Sequence, residues 1–323
     1  MRKYKWGIIG PGKIARKFAS DLVLLENAEL HGVSSRELSR AQAFAEDYQA
    51  AVAYDDHRQL IADPEVDIIY VATPHAFHKE MTIACLKAGV PVLCEKPIGL
   101  NLAEAEEMVH LARKNGVFLM EALWTACLPH FLRVKDLVSS QQYGRVMKLE
   151  SDFGFATNFD PHGRLYNKSL GGGSLLDIGI YPVFAAVTLL GAPESLEATA
   201  TMTETHVDAE MHAKLGYPGG VTAALHSTFL KHTPVETTIH CEKAVIKINR
   251  RWHEPTAIEI HVDGHVVTET FETEGFGYQY EAAEAMNCLE HGLAESQLMS
   301  LDDTLTLSRV IDRIQNEINL FYD

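Results

Sequence analysis

Four places in this chain combine residue types and spacings that could carry chemistry. The first is Gly10-Pro11-Gly12-Lys13-Ile14-Ala15, which directly follows an apolar run, Lys5–Ile9, and fits the pattern G-x-G-x-x-G/A. Gly10 permits a tight turn, Gly12 admits a close backbone approach, and Ala15 allows a helix to pack tightly on a strand. The amides of Lys13, Ile14 and Ala15 at that helix's start suit a pyrophosphate. The second lies about 20 residues on, where a carboxylate would ordinarily bond the ribose hydroxyls of a dinucleotide. Here the strand ends in Ser34-Ser35-Arg36-Glu37, with Arg40 a turn later. Hydroxyls and guanidinium groups suit a 2′-phosphate, which a carboxylate would repel, so Ser35, Arg36 and Arg40 predict NADP in preference to NAD.

The other two could move a proton. Lys96 follows the apolar run Val90–Cys94 at the end where open α/β sheets place ligands, and a partly desolvated lysine there releases its proton more readily. Pro97 restricts its backbone, and a cis Lys96–Pro97 bond is one option. Asp177 and Tyr181 are four apart, so one helix face presents both. The phenol can donate or accept a proton, and a nearby Lys96 cation would lower its pKa. Lys96 and Tyr181 are therefore expected to act as one relay, either being the formal base, with Asp177 positioning a substrate hydroxyl. Gly171–Gly173 is expected to let that helix start close to the cofactor. Aromatic side chains that could stack on a substrate are Trp124, Phe153, Phe155, Trp252 and Phe276. No metal site is predicted, because the sixteen histidines are dispersed and HExxH does not occur.

These residues need a scaffold, and the patterning supplies one. Strand-like runs (Lys5–Ile9, Leu30–Ser34, Val66–Ala72, Pro91–Cys94, Val117–Glu121) alternate with helical ones (Lys13–Leu25, Arg40–Tyr48, His78–Ala88, Leu102–Asn115). That order predicts an α/β fold: a doubly wound Rossmann sheet, parallel, with helices on both faces. Beyond Trp124 come helices over His130–Ser139 and Ser174–Leu190, then seven alternating segments between Ser195 and Phe271 separated by turns such as Asp263-Gly264. They predict a second α/β domain with a large, mostly antiparallel open sheet, closed by helices at Tyr278–His291 and Asp302–Phe321. A dinucleotide domain over 1–123 and a substrate and oligomerisation domain over 124–323 are expected. The net charge of −16 disfavours duplex nucleic acid and anionic membranes as partners, and no apolar stretch of membrane-spanning length is expected. The N-terminal apolar run is too short for a signal-peptide core, and five scattered cysteines without CxxC spacing fit a reducing, cytoplasmic setting.

Two further motifs, Thr73-Pro74-His75-Ala76-Phe77-His78 and Glu95-Lys96-Pro97, join the glycine turn and Gly171-Gly172-Gly173-Ser174-Leu175-Leu176-Asp177-Ile178-Gly179-Ile180-Tyr181. Together and in this order they resemble the glucose–fructose oxidoreductase / inositol dehydrogenase (Gfo/Idh/MocA) family. Met120-Glu121-Ala122-Leu123-Trp124 and Tyr181 look closest to its branch of dimeric dihydrodiol dehydrogenases and NADP-dependent xylose dehydrogenases. Inositol dehydrogenase-like members usually have histidine at the position of Tyr181. The resemblance implies that Thr73, Pro74, His75 and His78 cover the nicotinamide end of the cofactor, that Glu95 and Lys96 belong to its site, and that the second sheet joins copies into a dimer or higher oligomer. It implies hydride transfer between NADP and a small polyhydroxy or carbonyl substrate, an aldose such as xylose or a trans-dihydrodiol. The alternative is a regulator that binds NADP without turnover; intact Lys96, Asp177 and Tyr181 argue against it.

Overall fold

A computed structural model describes residues 2–322. The chain forms two compact units. The first runs to Gly99, continues over Ala103–Cys127 and takes in Thr273–Thr304; the second comprises Leu100–Leu102, Leu128–Glu272 and the chain from Leu305 onward. The chain passes from the first unit to the second near residue 127. Thr273–Thr304, however, returns to the first unit, so the single boundary expected at 123/124 is corrected.

In the first unit β1 (Tyr4–Ile9), α1 (Lys13–Leu22), β2 (Ala28–Ser34), α2 (Leu38–Tyr48), β3 (Val52–Tyr54), α3 (His57–Ile61), β4 (Ile68–Val71), α4 (His78–Lys87), β5 (Val92–Glu95), α5 (Leu102–Asn115) and β6 (Leu119–Ala122) alternate. The strands form a parallel sheet in the order β3-β2-β1-β4-β5-β6. The order reverses between β1 and β4, and a crevice at such a switch point is where doubly wound sheets bind ligands. β4, β5 and β6 are buried along their whole length, as near-continuous apolar runs in a parallel sheet should be. β3 and α3 fall where no element was expected; three and five residues are too few for a periodicity to register.

The second unit contains α6 (Pro129–Ser139), β7 (Val146–Gly154), α7 (Ile180–Leu190) and β8–β14: Ser195–Met202, Asp208–Gly216, Thr222–Thr228, Thr237–Cys241, Val245–Ile248, Ile258–Val262 and His265–Glu269. Their order is β14-β13-β12-β11-β7-β10-β9-β8, antiparallel except where β7 and β10 run parallel. Asp263 (φ 51°) and Gly264 (φ 76°) make the left-handed turn of the last hairpin. Alternation gives this sheet two different faces. Leu149, Met211, Leu215, Leu225, Ile239, Ile246 and Ile260 are buried, while Lys148, Glu150, His212 and Lys214 are exposed.

α7 packs against β7 and β10, and nine of its residues are buried. Together with the turns before it, Lys168–Leu190 has the length and mean hydropathy (1.7) of a membrane span, contrary to expectation. Its most apolar window is 89% buried within the fold, because α7 is enclosed on more than one side, by β7 and β10 and by α6. Back in the first unit, α8 (Tyr278–Glu290) follows Gly277 and is tethered at its N-terminus. The buried Asp21 of α1 accepts the backbone N–H groups of Phe276 and Tyr278 at 2.9 and 2.8 Å. α9 (Leu301–Glu317) closes the chain.

Candidate active site

The first unit carries the expected dinucleotide frame at the C-terminal ends of β1 and β2. Gly10 has φ +93°, and a Cβ there would lie 2.9 Å from the carbonyl oxygen of Ala72, so only glycine makes this turn. A Cβ on Gly12, by contrast, would project into open space beside the helix start. Gly12 caps α1 without a side-chain hydrogen bond, and the first turn has no acidic residue, so the helix's own first turn does not offset the opening amides and the dipole with a carboxylate. Ala15 is fully buried, as close helix–sheet packing demands. This arrangement fits a pyrophosphate. At the end of β2, Ser35 Oγ accepts the Glu37 N–H at 3.4 Å. Arg36 and Arg40 are exposed, and among the described residues neither forms an ion pair; Arg36 lies over the ring of Phe77 at 5.9 Å. Two exposed cations, with Ser35 in the position a ribose-binding carboxylate ordinarily takes, suit a phosphorylated ribose, while the neighbouring Glu37 could cover the ribose instead.

The loops after β4 and β5 are tied to each other. His78 is fully buried, with Nδ1 2.7 Å from Pro97 O and Nε2 2.8 Å from Thr73 O. It therefore braces the two loops, where direct cofactor contact was expected. His75 is nearly as buried, its ring 5.6 Å from that of His78. Glu95 is likewise engaged: Tyr70 donates its hydroxyl to Oε1, and the Lys96 N–H reaches Oε2 at 3.2 Å. The Tyr70 ring stacks on Phe18 of α1 at 3.9 Å. Lys96 follows this braced strand end, half-buried, and its bond to Pro97 is cis.

One residue here escaped the sequence. Glu121, at the end of β6, is 1% exposed and accepts the Ile98 N–H at 2.9 Å. Burial pushes its carboxyl up to about 7, opposed by that N–H and by the positive charge of Lys96. It thus fastens the backbone two residues beyond Lys96. Trp124, expected to stack on substrate, has one face covered by Tyr278 at 4.2 Å and 10° between ring planes, and is 3% exposed.

The second unit presents Asp177 and Tyr181 on a continuous helical run. Leu175–Gly179 is a π-helical turn, and α7 begins directly after it; such turns occur often at functional sites. Arg164 donates to Asp177 Oδ1 at 2.7 Å, and Arg164 remains 45% exposed while Asp177 is 10% exposed. Sequence reading missed this guanidinium, which lies thirteen residues upstream in irregular chain. Tyr181 is 6% exposed within an aromatic group: Phe153 at 5.7 Å, His253 at 5.0 Å and Trp252 at 6.4 Å.

His253 stacks on Phe153 at 4.1 Å, and no motif had singled it out. Its imidazole is 3.5 Å from Glu254. Burial pushes the Glu254 carboxyl up, but His253 and Arg251 together hold it down at about 2. Phe153 and Phe155 pack against the core of Tyr166, Ile178, Val207 and Phe229. Trp252 has no exposed surface; its Nε1–H donates to Asp152 O, and its carbonyl bonds His130 Nε2 at 2.9 Å. Its expected role as a substrate contact is therefore corrected to that of a support beneath Tyr181.

The glycine run also does something other than expected. Cβ atoms on Gly172 and Gly179 would meet Asn167 O and Ser227 Oγ at 2.9 and 2.8 Å, and one on Gly173 (φ +121°) would overlap Asp208 Oδ1. The glycines thus let the π-turn seat against its own sheet. Asp208, fully buried and pushed up to about 6 by that burial, accepts the Ser174 hydroxyl and the Leu175 N–H, each at 2.7 Å.

Comparison with known proteins agrees with this geometry. Residues 4–123 match the family model described as "Oxidoreductase family, NAD-binding Rossmann fold", and residues 131–247 match the GFO/IDH/MocA C-terminal domain. Trans-1,2-dihydrobenzene-1,2-diol dehydrogenase of Xenopus tropicalis is 34% identical, over 98% of this chain and 99% of its own length. Among solved structures, aldose-aldose oxidoreductase of Caulobacter crescentus, complexed with glycerol, aligns with a TM-score of 0.90 at 26% identity, covering 98% of each chain. A 3-ketoreductase of Actinomadura kijaniata, in complex with NADP and TDP-benzene, aligns at 0.87 and 26%, with the same coverage.

Proposed function

Because the chain belongs to the Gfo/Idh/MocA oxidoreductase family, we propose that this dehydrogenase uses NADP and acts on a CH–OH group of a small polyhydroxy compound, a trans-dihydrodiol or an aldose, or on the corresponding carbonyl. The observation that carries the cofactor is the end of β2: Ser35 stands where a ribose-binding carboxylate would, and among the described residues the exposed Arg36 and Arg40 form no ion pair. In a chain of net charge −16, two exposed guanidinium groups without carboxylate partners are best explained by an anion that they bind. The full-length likeness to a dihydrodiol dehydrogenase and the fold shared with an aldose oxidoreductase support the substrate class.

The amides opening α1 would hold the pyrophosphate, and Ser35, Arg36 and Arg40 the 2′-phosphate. Bound nicotinamide supplies the two-electron acceptor or donor. The chain's own task is the proton. When an alcohol carbon loses hydride, its hydroxyl proton must leave, and Lys96 Nζ or Tyr181 Oη is the base that takes it. Arg164 holds Asp177 in place, and Asp177 positions a substrate hydroxyl. Phe153 and His253 give the substrate an aromatic wall. The open face of the second sheet joins copies into a dimer or higher oligomer.

The test follows absorbance at the NADPH band while trans-dihydrodiols and aldoses are offered with NADP and with NAD in parallel. Turnover with one of these classes, faster with NADP, is expected. Tight NADP binding with no turnover across the panel would mean a regulator instead.

A further inference from the structure

The open face of the second sheet carries a group of donors that no motif announces. His212 on β9 and His226 on β10 are directly opposite in the antiparallel register, and Glu210 is two residues before His212 on the same face. The imidazole rings are stacked at 4.2 Å with 5° between planes. Both Nε2 atoms address one carboxylate oxygen, Glu210 Oε1, at 2.8 Å from His226 and 3.6 Å from His212. The three donor atoms all lie within 4.8 Å of one another.

Two ligands on one tetrahedral zinc ion stand roughly 3.3 Å apart, given bonds of about 2.0 to 2.2 Å. The observed 2.8 and 3.6 Å straddle that spacing. Small side-chain rotations would admit an ion, while the paired strands hold the backbone positions. We propose that Glu210, His212 and His226 bind a divalent transition metal, Zn²⁺ in the first instance, as a His₂Glu site with one position left open to the trough over the sheet.

The surroundings favour this occupant. The two imidazoles are held side by side by the strand pairing, which fixes their backbone positions before any ion arrives. Glu210 is 14% exposed and pairs with Lys231. That ammonium, 2.7 Å from Glu210 Oε1, is the competitor. It stands on a flexible stem, 58% exposed, and a dication displaces such a surface ion pair at little cost. Asp152 lies beside His226 on β7 but is not a ligand, since its oxygens accept the N–H groups of Val235 and Glu236. Glu150, Thr199 and Lys214 line the same trough. None of these three residues belongs to the proposed proton relay, so the proposal does not depend on the reading of the reaction.

Full-length protein stripped with chelator would be titrated with Zn²⁺ by calorimetry, and its thermal unfolding followed with and without the ion. One ion per chain and a raised unfolding temperature are expected. His226→Ala and His212→Ala should each weaken binding by about tenfold or more and abolish the thermal shift, while NADP binding is unchanged. No zinc uptake by the wild type, or wild-type affinity in the double variant, would overturn the proposal. Unchanged NADP binding in the variants separates loss of metal from loss of fold.

Discussion

Lys96 and Tyr181 carry the proposed proton chemistry, and they fail in distinguishable ways. Lys96→Met should lower kcat by about a thousandfold while NADP still quenches protein fluorescence at wild-type concentrations. Rates within a few-fold of wild type would remove Lys96 from the reaction. Arg36→Ala should cost about tenfold or more in kcat/KM with NADP and little with NAD, since only the former presents a 2′-phosphate. An equal loss with both would reassign Arg36 to the loop itself. Glu121 makes a prediction about pH. Its carboxyl is raised from 4.5 to about 7, so the folded chain favours the protonated form. The stabilisation is complete below pH 4.5 and is lost as pH rises through about 7, a change on the order of 3 kcal/mol. Glu121→Gln should flatten unfolding stability between pH 5 and pH 8, measured by urea titration. A pH dependence identical to wild type would show that this carboxyl does not titrate in the window.

At the scale of elements, the π-turn before α7 depends on glycines that have no room to grow. Gly173→Ala faces both a positive φ and overlap with Asp208. It should destabilise the second unit by about 3 kcal/mol or more, seen as a lowered unfolding temperature. Arg164→Met leaves the turn's packing intact and should spare the fold. It frees Asp177 from its 2.7 Å partner and should raise the KM for substrate more than it lowers kcat. A matching fall in kcat with unchanged KM would instead place Arg164 in the chemical step. The brace through His78, which links the loops after β4 and β5, explains why two motifs about twenty residues apart behave as one piece of structure.

On the scale of the whole molecule, the second sheet has one face closed by α7 and another lined with alternating charge: Lys148 with Glu150, Lys231 with Glu210, Lys247 with Glu236. A sheet face left this open is expected to meet a second copy, and its polarity predicts an association weakened by salt. Sedimentation at low and high ionic strength measures this. A monomer at micromolar concentration in both would exclude the sheet as an assembly surface.

The parts legible in the sequence were those written in local spacing. The glycine turn on α1, the serine–arginine end of β2, Lys96 at the end of β5 and the Asp263-Gly264 hairpin each depend on neighbours a few residues away, and periodicity separated the parallel sheet from the antiparallel one. What tertiary structure decided lies across long sequence distances. Trp252 carries the same aromatic signal whether it faces a substrate or, as here, disappears beneath Tyr181. Arg164 finds Asp177, His253 finds Phe153, and residues 273–304 return to the first unit only once the chain has folded. His212 and His226 become neighbours through strand register, a relation that a linear pattern does not encode because hydrogen bonds between strands, and not spacing along one, set who stands opposite whom.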